Sequence, residues 1–442
     1  MGAPRPSPGD RPDDGASRGD QGRRTARRDQ SRRLTRGLGG SHTVRITQVR
    51  AVNLDIPRTP ATSKARRPGW NSHARRALPI NKYPEFSRMH GRMPGANTWE
   101  RVWVQVTAED GTWGLGECSF GEPVAALVDY HFGPLLEGRD CLALEFLNDL
   151  MWRSTQRFGA GGIATVAQSG IDLALWDLKG KLLGQPVYSL IGGPCRDKAL
   201  VYCTSDDLDW SQELGFKCFK VSNPAHYDEG IDGINLVEEH IARAREAVGP
   251  NAELMYNPVM SFNVEFTVRL AERLRPYNLR WLEEPLIPTD LEGHIELRKA
   301  INWVPLATGE DHHGRWTFRQ LVEHRAVDVL QPDLMWCGGL SEALKIYTIG
   351  EAAGLVTIPH AAVATPWGQH FAISMPESPM AEFWMGSDPG IPLEEVWPIP
   401  GLAVPRDGYI RPNDAPGWGM EIDEQLITPW DHTAAARARG LI

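Results

Sequence analysis

Five short apolar runs between Ala252 and His360 each end in one polar or charged residue, and their spacing restricts the fold more than any other feature of the chain. AELMY leads to Asn257, LRWL to Glu283, VPLATG to Glu310, VDVLQP to Asp333 and LVTIP to His360, at steps of 26, 27, 23 and 27 residues. A short buried strand, a loop, an amphipathic helix and a return loop occupy about that many residues in a β/α barrel. The gaps hold VEFTVRLAERLRPY, LEGHIELRKAI, WTFRQLVEHRA and LSEALKIYTIGEAAG, whose apolar residues recur at helical spacing. Successive strand ends therefore bring these groups to one rim, the carboxyl-terminal mouth where barrel enzymes keep their sites.

The 442 residues suffice for a barrel of about 250 residues and a second, smaller unit. A net charge of -9 argues against general nucleic-acid binding, which needs a basic face, but leaves an anionic small molecule open. The six cysteines form neither a C-x-x-C pair nor a zinc spacing, and read as reduced thiols of a cytoplasmic protein. Without a run of eighteen apolar residues, no membrane span or membrane partner is expected. Residues 1–42 are rich in Arg, Gly, Pro, Asp and Ser and poor in large apolar residues, so they read as a disordered tail. Its paired arginines lack the apolar stretch that an export signal requires.

VRITQVRAVNLDI and ERVWVQVTAEDGTWGLGEC read as strands of an antiparallel meander. In the second, Val102, Val104 and Val106 alternate with Trp103, Gln105 and Thr107. Between the strands lies a loop of about 40 residues, long enough to suggest a functional lid. It carries Trp70, His73, Arg75, Arg76, Lys82, Tyr83, Arg88 and His90, a polybasic set suited to an anionic, hydroxylated ligand. Three helical segments follow, the last being ATVAQSGIDLALWDLKGKLLG. ALVYC and CFKV then read as the first two barrel strands.

The ordered strings ALWDLKGKLLGQPVYSLIGG, GFKCFKV, WLEEP, TGEDHHG, LQPDLMWCGGLSEALKI and IPHAAV resemble the enolase superfamily, its mandelate racemase subgroup, and within that the L-rhamnonate dehydratases. The resemblance implies an α/β fold, a (β/α)7β TIM-like barrel with an α+β capping domain. The boundaries expected are a tail at 1–42, a cap at 43–195, the barrel at 196–390, and a segment at 391–442 returning to the cap. It also implies Mg2+ held at the Asn257, Glu283 and Glu310 positions, with the first Glu of WLEEP as the ligand. Asn257 departs from the family's Asp: an amide oxygen can coordinate Mg2+ but brings no charge. Likewise Asp311 stands where rhamnonate dehydratases have His.

A carboxylate against one imidazole nitrogen fixes the tautomer and raises the basicity of the other, so Asp333 and His360 make a candidate base for the C2 proton of an acid sugar. Lys220 ends the second barrel strand and would anchor the substrate carboxylate. Racemising relatives carry Lys-x-Lys there, whereas this chain reads Lys220-Val221-Ser222 and so lacks a second base. Glu382 matches an electrophilic acid of mandelate racemase, and His73, Arg88 and His312 are candidate substrate contacts. The expected activity is Mg2+-dependent dehydration of an aldonate such as L-rhamnonate to a 2-keto-3-deoxy acid. A catalytically degraded sugar-acid-binding homologue and an acid-sugar epimerase or racemase remain as alternatives. The resemblance further implies a homo-oligomer, tetramer or octamer, with no nucleic-acid partner.

Overall fold

Strand β1 (Ile46–Leu54) pairs antiparallel with β2 (Val102–Ala108), which continues into β3 (Trp113–Cys118). Its other edge takes β13 (Ile427–Pro429), so the last strand of the chain closes the sheet begun by the first. The computed structural model describes residues 43–57, 60–86, 100–396, 399–438 and 440. The tail at 1–42, together with Arg88 and His90, lies outside them. No helix among the described residues is long and apolar enough to cross a membrane.

The helix Ile163–Leu183 is buried on nearly every side, as its all-round apolar composition requires. A methyl group at Gly114 or Gly116 of β3 would collide with the backbone carbonyls of Ala174 and Gly170, so glycine at both positions lets strand and helix touch. On the other side, Asp172 accepts from Ser341 N at 2.9 Å and Trp176 donates to Ser341 Oγ at 2.9 Å. This one helix joins the antiparallel sheet to the helix Gly339–Ala352 of the barrel.

The barrel strands are β4 (Ala199–Thr204), β5 (Cys218–Val221), β6 (Glu253–Tyr256), β7 (Leu282–Glu283), β8 (Leu306–Thr308), β9 (Val329–Leu330), β10 (Val356–Thr357) and β11 (Met380–Trp384). They are parallel and adjacent in sequence order, with β11 beside β4. Their interior floor is one apolar cluster of Tyr202, Cys218, Met255, Trp281, Ala307, Val329, Ile358 and Met380, one residue from each strand or its immediate flank. Side chains repeat on one face of a strand every second residue. The next layer up is therefore Thr204, Lys220, Asn257, Glu283, Gln331, His360 and Glu382, with Gly309 completing it. The layer beyond includes Ser222, Val259, Asp333 and Trp384, all of which line the mouth.

The helix Pro366–Ser374, packed near the last strands, carries His370, which is completely buried. Its Nδ1 accepts from Tyr188 N at 3.0 Å, and burial pushes its pKa down to about 3. An unfolded histidine gains its proton near pH 6.5. The unfolded state thus binds the extra proton first, and this contribution to stability is lost as pH falls from about 6.5 toward 3. His370→Asn, whose side-chain oxygen can still accept from Tyr188, is expected to flatten that loss by on the order of one kcal/mol per pH unit. Urea midpoints at pH 7 and pH 5 check it; equal acid sensitivity in the two proteins would refute the account.

Candidate active site

A cavity of about 570 Å³ opens above the polar layer, lined by Lys220, Asn257, Glu310, Asp333, His360 and Glu382 from the barrel. The antiparallel sheet adds Arg101 and Glu117, and the long loop adds Trp70 and Arg76. His360 Nδ1 lies 2.8 Å from Asp333 Oδ2, while Met335 N donates to Asp333 Oδ1 at 2.6 Å. The carboxylate is thus oriented from its own turn and in turn orients the imidazole. On the opposite side, His360 Nε2 is 3.2 Å from Glu310 Oε1. Burial alone would lower the His360 pKa, but Glu310, Asp333 and Glu382 outweigh it and raise it to about 10.

Lys220 is 2% exposed and its ammonium bridges Glu283 and Glu382, the latter at 2.8 Å. A surface location for this lysine is thereby excluded. Burial opposes its charge, yet Glu283 and Glu382 hold its pKa above the usual lysine range. Glu382 also accepts from Thr204 Oγ1 and Ala361 N. Despite burial, Lys220 and His360 depress its pKa to about 2.

The remaining carboxylates divide into two groups. Glu283 meets four donors: the Lys220 ammonium, Asn257 Nδ2 at 2.8 Å, Trp281 Nε1 at 2.9 Å and Gln331 Nε2 at 2.8 Å. Glu284 is 1% exposed, and its carboxyl meets the Glu310 carboxyl rather than a nitrogen donor. Ligand atoms of Glu284, Glu310 and Asp311 lie within 4.8 Å of one another. Burial and mutual repulsion push the Glu284 pKa well above the usual carboxylate range; Glu310 and Asp311 are raised too, though His360 opposes this. Such a gathering of carboxylate oxygens, Glu284 buried and Glu310 and Asp311 partly so, has the donor chemistry that a hard divalent cation takes.

Residues 207–426 match the enolase C-terminal domain-like family, and residues 89–192 match the mandelate racemase / muconate lactonizing enzyme N-terminal domain. An L-rhamnonate dehydratase of Saccharopolyspora erythraea is 36% identical over 397 residues, covering 88% of this chain and 100% of that protein. The chain belongs to the enolase superfamily, in its mandelate racemase subgroup. This superfamily member also resembles two crystal structures from Gibberella zeae. One is of L-rhamnonate dehydratase, with a TM-score of 0.78 and 32% identity over 89% of this chain and 98% of that one. The other is of rhamnonate dehydratase complexed with Mg, with a TM-score of 0.79 and 31% identity over 88% and 97%.

Not every residue singled out from the superfamily resemblance reaches the cavity. His73 is exposed at the end of the short helix Trp70–His73 and does not line it. His312 is buried at 5% exposure against His294 and Phe318, below the mouth, because the turn after Glu310 points it into the barrel wall. Arg88 lies outside the described residues. Three of the four described arginines of the long loop are also engaged by protein carboxylates: Arg66 with Glu213, Arg67 with Asp207, and Arg75 with Glu229 at 2.8 Å. The loop is thus tied down by its charges, and the arginine it brings to the cavity is Arg76, 5.3 Å from the rings of both Trp70 and Trp384.

Sequence reasoning missed Trp336, whose ring centroid lies 5.6 Å from that of His360, and the Arg101–Glu117 pair. Trp336 sits inside the string LQPDLMWCGG three residues after Asp333, a signal that was available. Arg101, just before β2, pairs with Glu117 of β3, and only long-range assembly brings the two to the barrel mouth.

Proposed function

We propose that this chain is a Mg2+-dependent hydro-lyase that converts an acid sugar, L-rhamnonate or a stereochemical relative, into its 2-keto-3-deoxy product. The observation that carries the reading is the His360–Asp333 pair sharing one cavity with the carboxylates of Glu310 and Glu382. Similarity to L-rhamnonate dehydratases over most of the chain supports it. Mg2+ held by the mouth carboxylates around Glu310 would supply the positive charge that stabilises electron density developing on the substrate carboxylate.

With its Nδ1 proton committed to Asp333, His360 presents Nε2 to the cavity and would serve as the base for the C2 proton once a cation on Glu310 offsets the negative charge that otherwise keeps the imidazole protonated. The C2–H electrons first delocalise into the substrate carboxylate as an enediolate, and then form the C2–C3 double bond as the C3–O bond breaks. The same Nε2–H then returns its proton to the departing hydroxyl, releasing water from one face. The enol left behind ketonises to the 2-keto-3-deoxy acid. Lys220-Val221-Ser222 supplies no second base opposite His360: Ser222 Oγ is a hydrogen-bond donor to Asp206 and Lys220 is held between two carboxylates. One base on one side favours elimination over racemisation.

A second reading, a sugar-acid-binding homologue without cation chemistry, draws on the Asn257 amide turned toward Glu283. The purified protein is expected to form 2-keto-3-deoxy products from one or a few members of an aldonate panel, and EDTA is expected to stop it. Deuterium incorporation at C2 without loss of water would move the reading to an epimerase, and silence across the panel with retained binding would favour the second reading.

A further inference from the structure

We infer that Arg101 is a specificity-determining residue that reads the hydroxyl oxygens of the substrate beyond C3, with Glu117 as the residue that aims it. The inference rests on the acid-sugar reading and adds which side chain recognises the part of the substrate that does not react. Its starting point is the β2–β3 hairpin. Trp103 stands opposite Glu117 in the ladder, so alternation puts Arg101, Trp103, Glu117 and Ser119 on one face. Arg101, Glu117 and Ser119 all line the cavity. Ser119 Oγ accepts from Trp336 Nε1 at 3.2 Å, and the Trp336 ring lies 5.6 Å from His360. A continuous set of neighbours thus leads from the base up to Arg101. An acid sugar with C2 at His360 and its carboxylate toward the polar layer would extend its remaining carbons outward to this wall.

The guanidinium is held on one edge and open on the other. Glu117, 2% exposed, accepts from Arg101 Nε and from Nη2 at 2.8 Å. Trp103, also buried, lies beside the same group, its ring centre 5.9 Å from Cζ. The second edge, Nη1 with the other Nη2 hydrogen, meets no acceptor among the described residues, and the side chain is 52% exposed. The buried member of the pair is fixed and the open member is aimed, which removes most of the entropy cost of ordering an arginine on binding. Two parallel N–H groups remain for the ligand. Glu117 already supplies the counter-charge, so this fork suits two neutral oxygens, such as neighbouring hydroxyls of a polyol chain. A second substrate carboxylate would be repelled by Glu117.

The test is binding without turnover, by calorimetry on the full chain carrying His360→Asn with Mg2+ present. The probes are a panel of six-carbon aldonates, 2,3-dihydroxybutyrate, which has no hydroxyl beyond C3, and galactarate, which has a distal carboxylate. Adding Arg101→Met with Glu117→Gln strands no buried charge; it is expected to weaken the best-bound aldonate by about 10- to 100-fold and to leave 2,3-dihydroxybutyrate within about threefold. Arg101→Lys, which keeps the charge and loses the fork, gives the same comparison should the double change fail to fold. Glu117→Gln alone keeps the arginine and removes its counter-charge, so the affinity ratio of galactarate to aldonate should rise by about tenfold or more. A pair that only stabilises the cap would move every probe alike or none, and either result would overturn the inference. So would a chain that binds no aldonate. The expected pattern of binding, with no dehydration by the chain that retains His360, would uphold the role of Arg101 and overturn the dehydratase reading instead.

Discussion

Replacing His360 with Asn is expected to abolish dehydration, lowering kcat by about 10³-fold or more while the chain stays folded. General acid–base groups each contribute about 10²- to 10⁴-fold, and here one imidazole is assigned both the C2 proton and the proton delivered to the leaving hydroxyl. Asparagine is the informative substitution because its amide N–H can still donate to Asp333 Oδ2, which His360 Nδ1 approaches at 2.8 Å. Asp333 itself should not move, since Met335 N holds its other oxygen at 2.6 Å. The variant thus loses the base and keeps its support. Exchange of the C2 proton with D2O should vanish together with product formation. If exchange vanished but dehydration persisted within tenfold, a different group would be delivering the chemistry.

The positions of Asn257, Glu283, Asp333 and His360 were legible because a β/α unit has a nearly constant length, and a strand in a barrel has only one inward face. The interior floor shows the same rule in space: Met255, Trp281 and Ile358 are each two residues before a site residue on the same face. Glu284 was not legible. Alternation along a strand sends the second glutamate of WLEEP outward, whereas in the fold its left-handed backbone accompanies a carboxylate gathered with those of Glu310 and Asp311. In GEDHHG the choice between Asp311 and His312 is settled by how the turn leaves β8, which a string of polar residues does not encode. The long loop was readable as basic, but its arginines could be assigned to a ligand or to protein carboxylates with equal ease. The structure gives most of the described ones to protein carboxylates through pairings far apart in sequence, such as Arg67 with Asp207.

Lys220→Met is expected to destabilise the protein by about 3–5 kcal/mol, the range found when one partner of a buried ion pair is removed. The lysine is 2% exposed and its ammonium is shared by Glu283 and Glu382, so methionine would fill the space and strand two buried carboxylates. Glu283 would keep Asn257, Trp281 and Gln331 as donors, and Glu382 would keep Thr204 and Ala361 N. Those neutral contacts relieve the loss but do not cancel the charge. Adding Glu382→Gln to Lys220→Met should therefore recover part of the stability, a coupling measurable by a double-mutant cycle in urea. A single variant within about 1 kcal/mol of the wild type would show that the carboxylates are neutralised some other way. The same geometry limits what the lysine can do in turnover. A substrate carboxylate could take the ammonium only by displacing Glu283 or Glu382, so we propose that holding these two carboxylates together is part of what the lysine does. Loss of activity in Lys220→Met should accordingly follow loss of that arrangement, with kcat falling more than KM rises.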